Sequence, residues 1–68
     1  MAEARQILLK SIRKRLGLTQ EQMAEALGMS ARGYQALEEG QNPVKLYHLY
    51  AAKYIYAERM GEEFNGGS

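Results

Sequence analysis

Apolar residues along this chain recur at intervals of three and four rather than two, the signature of helices with one inward face. Leu8, Ile12 and Leu16, with Leu9 beside them, form such a stripe and predict a first helix from about Ala4 to Leu16, closed by Gly17. Thr19-Gln20-Glu21-Gln22 fits a capping box, in which the threonine hydroxyl takes a free N–H while Gln22 reaches back. Met23, Ala24 and Leu27 give this second helix its inward face, and Gly28 stops it. Ser30 is an N-cap type and opens a third helix that continues to Glu39, with Gly40 closing it. Gln41-Asn42-Pro43 reads as a turn, with the proline suited to the first position of a helix expected from Val44 to about Met60. The pattern leaves open whether that last helix breaks near residues 51–54. No segment alternates convincingly with period two, so the expected fold class is all-α.

Only Gly28 and Met29 separate the second helix from the cap of the third. Two helices joined so tightly must cross steeply, which is the geometry of a helix-turn-helix. Ala24 supplies the small inward residue that a close crossing needs, Gly28 tolerates positive φ, and Met29 can plug the core. Gly33 costs about 1 kcal/mol relative to alanine inside a helix, so close approach to the second helix or to a ligand is expected there.

Composition narrows the chemistry. Sixty-eight residues make one domain, read as residues 1–60, followed by a flexible tail over residues 61–68. There is no cysteine, no aspartate and one histidine, His48. One copy therefore cannot assemble a three-ligand zinc site or a Ser-His-Asp arrangement, and neither an enzyme, a metal site nor a cofactor is expected. No apolar run approaches the roughly 20 residues that span a bilayer, so no membrane partner is expected. The net charge of +1 is unevenly spread: residues 1–18 sum to +4, residues 19–40 to −3, and the remainder to zero. The basic footprint that marks many nucleic-acid binders is thus modest and lies mostly in the first segment.

The stretch IRKRLGLTQEQMAEALGMSARGYQALEEGQNP, Ile12 to Pro43, resembles the phage repressor and Cro-like helix-turn-helix family, also called lambda-repressor-like. The matching signals are Gly17-Leu18-Thr19-Gln20, Ala24, Leu27-Gly28-Met29-Ser30, Leu37-Glu38 and Gly40, in register without gaps. The resemblance implies a compact four- to five-helix domain, a cytoplasmic DNA-binding repressor or autorepressor. It implies a homodimer on near-palindromic double-stranded operators, with the third helix in the major groove. Carried onto this chain, the base-contacting positions are Ala31, Arg32, Gln35 and Ala36. Arg32 can pair with guanine and Gln35 with adenine. Thr19, Gln20, Gln41, Asn42 and Lys45 are the expected phosphate contacts. Arg13 is expected to pair with Glu38 in a structural ion pair.

The chain also departs from that pattern. Tyr34 stands where a β-branched aliphatic residue is usual, and is expected in the core or with its phenol on a phosphate. Gln41 and Asn42 replace the cations many relatives carry, and Glu39 finds no role. Tyr47, Tyr50 and Tyr54 lie at helical spacing and cannot all share a core with Leu46, Leu49, Ala52 and Ile55, so an aromatic dimer interface is expected. Two other readings remain: an antitoxin-type or accessory regulator that also binds a partner protein, and a helical module that binds protein only.

Overall fold

The computed structural model describes residues 4–64. It contains four helices: α1 (Ala4–Leu16), α2 (Gln20–Leu27), α3 (Ala31–Glu39) and α4 (Leu46–Met60). The caps explain the boundaries. Gln22 N–H donates to Thr19 Oγ1 at 3.1 Å, while Thr19 N–H donates to Gln22 Oε1 at 2.9 Å. Gly28 takes φ 76°, and a side chain there would meet nothing within 4 Å. Its glycine is required by backbone conformation and not by space.

One expectation about α4 changes and one open point closes. The helix begins at Leu46 rather than Val44, and it runs unbroken through residues 51–54. Pro43 therefore does not open the helix. Val44 stays in an extended link because its side chain is drawn into the core, and Lys45, extended at φ −90° and ψ 163°, is the N-cap.

The core gathers Leu9 and Ile12 of α1, Met23 and Ala24 of α2, Tyr34 and Leu37 of α3, and Val44, Leu49, Ala52 and Tyr56 around α4. Burying a large apolar side chain contributes roughly 1.5–3 kcal/mol, so this single core is the main source of stability. Helices α1 and α4 run in the same direction. Arg5 Nη1 donates to the Val44 carbonyl at one end, and Arg15 Nη2 to the Tyr56 hydroxyl at the other. Phe64, inside the segment read as tail, packs edge-on against Tyr56 at 5.1 Å and lies under the Arg15 guanidinium. The rest of that tail, residues 65–68, lies outside the described residues.

Candidate nucleic-acid interface

The capped turn between α2 and α3 presents one face of α3 outward. Ser30 Oγ accepts the Gly33 N–H at 3.0 Å and fixes where the helix starts. Arg32, Gln35 and Glu39 are exposed, and Ala31 is half-buried. At about 100° per residue, these four share an arc of about 100°. The expected fourth reader, Ala36, is 8% exposed and belongs to the packed side. It lies past the edge of the arc, and its carbonyl is taken by the N–H groups of Gln41 and Asn42 at 2.9 and 3.1 Å. Glu39, to which the sequence reading gave no role, takes its place on the outward stripe. Its spacing of seven from Arg32 and four from Gln35 was the available signal.

The opposite face of α3 is anchored by a buried carboxylate. The side chain of Glu38 is 2% exposed. Arg13 Nε donates to its Oε2 at 2.7 Å, and Arg13 Nη2 to its Oε1 at 3.1 Å. Gln20 Nε2 donates to Oε1 at 2.9 Å, and the Tyr34 hydroxyl donates to Oε2. Both carboxylate oxygens are thus doubly satisfied, by side chains from α1, α2 and α3. Arg13 spends its remaining Nη1 on the Leu18 carbonyl at 3.0 Å. Gln6, absent from the sequence reading, donates to the Glu38 backbone carbonyl at 2.8 Å.

This network decides the protonation states. Burial pushes the Glu38 carboxyl up, but hydrogen bonds from Arg13, Tyr34 and Gln20 outweigh it and hold it below the ordinary carboxylate range. The hydrogen bonds it donates to Glu38, opposed by partial burial, hold Arg13 more firmly charged. Tyr34 is pushed up by burial first and by the Glu38 carboxylate second. Tyr34 is therefore a core residue and not a phosphate contact: its ring is fully buried and its hydroxyl is committed to Glu38.

The remaining expected contacts are distributed around α3. Thr19, Gln41, Asn42 and Lys45 are exposed. Gln41 Nε2 reaches Glu39 Oε1 at 3.3 Å, and Gln20 is half-buried with one amide hydrogen on Glu38. Gly33 does not serve a close crossing with α2. A Cβ there would meet only Ser30 Oγ at 3.1 Å and Met29 Cε at 3.7 Å. Tyr47, Tyr50 and Tyr54 are 67%, 63% and 65% exposed, and Leu46 and Ile7 are exposed as well. Among the described residues no helix is long and apolar enough to cross a membrane, and no group of three His, Cys, Asp or Glu side chains could hold a metal ion.

A family model described as helix-turn-helix matches residues 9–52, from the middle of α1 into α4. No curated protein and no solved structure matches the chain.

Proposed function

The chain belongs to the helix-turn-helix family, a family of DNA-binding regulators, and on that footing we propose that it is a sequence-specific transcriptional repressor acting in the cytoplasm. In this reading α3 enters the major groove of double-stranded DNA, and Arg32 and Gln35 meet base edges. Thr19, Gln20, Gln41, Asn42 and Lys45 flank them at the phosphates. The supporting observation is the two-sided build of α3, with Arg32 and Gln35 exposed on one face and Glu38 clamped on the other. With Ala31 and Ala36 offering little or nothing to a base, the shape of the DNA contributes part of the specificity.

The exposed Tyr47, Tyr50 and Tyr54 favour a homodimer on a near-palindromic operator, since a two-fold interface applies the same patch twice. The same observation supports the second reading, a regulator whose tyrosine face also receives a partner protein. Titration against a duplex from its own promoter region, at two salt concentrations, tests the main reading. Specific binding that weakens modestly with salt is expected; no binding at low salt contradicts it. Light scattering on the parent and on Tyr50→Ser with Tyr54→Ser tests the dimer. A parent that stays monomeric at high concentration and on DNA rules it out.

A further inference from the structure

The charges of α1 and α2 are segregated. Helix α1 contains no acidic residue, and α2 contains no basic one. Ile7, Lys10 and Lys14, spaced three and four apart, form one exposed stripe along α1, with Ile7 66% exposed beside the lysines. Glu21 and Glu25, four apart, are exposed on the outer side of α2. The other cations of α1 are engaged within the chain: Arg13 on Glu38, Arg5 on the Val44 carbonyl, and Arg15 on Tyr56 and Phe64. Among the described residues, no hydrogen bond or ion pair holds the side chains of Lys10, Lys14, Glu21 or Glu25. Arg59 borders Glu25 in a shallow depression but forms no ion pair with it.

Packing sets these two faces apart. Each of α1 and α2 packs on both α3 and α4, and they share no comparable contact with each other. The helices therefore alternate around the core in the order α1, α3, α2, α4, and the outer sides of α1 and α2 look in opposite directions. A total charge of only +1 thus covers a molecule with one basic and one acidic side. These sides cannot meet within one copy, but they can meet between two. Lys10 and Lys14 match Glu21 and Glu25 in spacing, each pair about one helical turn apart.

We infer that α1 of one copy docks on α2 of a second copy, with Lys10 and Lys14 facing Glu21 and Glu25 and Ile7 supplying the apolar part. The contact is heterologous: each copy keeps one charged side unused, so copies link end to end rather than closing as a pair. In this it differs from a two-fold contact through the tyrosines of α4. Two exposed ion pairs and one isoleucine make a weak link, one that counts most where other contacts already hold copies side by side.

The test uses the labelled full chain and no DNA, so failure of the DNA-binding reading and failure of this contact are separate results. As the parent is raised to millimolar concentration in low salt, the NMR amide signals of Ile7, Lys10, Lys14, Glu21 and Glu25 shift. Added salt reverses the shifts, since exposed charges are screened. Lys10→Glu with Lys14→Glu loses them, and so does Glu21→Lys with Glu25→Lys. All four changes exchange residues of similar helix propensity, and melting curves check the fold. Lys10→Gln with Lys14→Gln, which repels nothing, weakens the association by about twofold or more.

Mixing the two reversed variants is decisive. Each then offers the other an opposite side, and the shifts return on α1 and α2. Ile7→Ser in both partners weakens the mixture by about threefold without changing any charge, which general attraction between unlike net charges would not do. The contact is overturned by a parent whose signals ignore concentration, or by a mixture that fails to restore the shifts. Shifts spread evenly over the surface, or a mixture indifferent to Ile7→Ser, overturn it as well.

Discussion

The inner face of α3 carries Tyr34, Leu37 and Glu38, all buried, and the Glu38 carboxylate alone is held by three side chains from three helices. The outer face carries Arg32, Gln35 and Glu39, all exposed, with Gln41 reaching Glu39 at 3.3 Å. One nine-residue helix therefore combines a face fixed by many partners with a face that spends almost nothing on the protein. The difference has a physical logic. A reader gains affinity when its side chains start from a rigid backbone, because less freedom is lost on binding. A buried carboxylate with every lone pair occupied holds that backbone to one position, whereas an apolar contact alone permits sliding.

If the two faces are separable, changes on the inner one should act on stability and changes on the outer one on binding. Arg13→Ala should have the largest effect. It leaves Glu38 buried without its cationic partner and should cost about 3–5 kcal/mol, enough to leave so small a domain largely unfolded in urea titration. Tyr34→Phe removes one donor and keeps the ring, so the expected loss is about 1–2 kcal/mol, with DNA binding preserved wherever the fold is. A loss of affinity without a loss of stability would instead put the phenol on the DNA and join the two faces.

Acid should act on the inner face in the same sense. The folded pKa of Glu38 lies below its unfolded value. Its contribution is therefore fully present above about pH 4.5 and is lost as pH falls through the lower folded pKa. Urea midpoints of the parent and of Glu38→Gln should converge as the pH drops through this window; a constant gap would show that the carboxylate is not what the network stabilises. The smallest effect belongs to Glu39→Gln. Stability should change by less than about 0.5 kcal/mol, because the side chain is exposed. Affinity for duplex should rise, since a charge at the end of the reading stripe repels phosphate. Unchanged affinity would move Glu39 off the DNA side.

Much of this was legible in the sequence because it is locally encoded. The Thr19 box, the Ser30 cap and Gly28 each fix a boundary from within four residues, and the structure places those boundaries within a residue of the reading. The start of α4 was misread because Pro43 is a helix-opening signal only when the next side chain is free. Val44 is captured by the core, a long-range effect that no local pattern carries. Ala36, expected at the groove from its place in the family register, is 8% exposed and packs toward the protein, which its place in the motif does not reveal. The four-residue spacing of Tyr34 and Glu38 hinted at their hydrogen bond. The reach of Gln20 to the same carboxylate depends on how α2 crosses α3, which spacing does not contain. The bond from the Lys45 backbone N–H to His48 Nδ1 was hidden because a lysine N-cap, which accepts nothing, does not match the capping-box pattern.

The division of α3 into a held face and a reading face meets its most direct test in Arg32→Ala. Parent and variant are compared by thermal melting and by competition between a promoter duplex and a scrambled duplex of equal length. The account predicts the same melting midpoint and a loss of about 1–3 kcal/mol in preference for the promoter. A variant that keeps the full preference, or one that loses it only by melting lower, would contradict it.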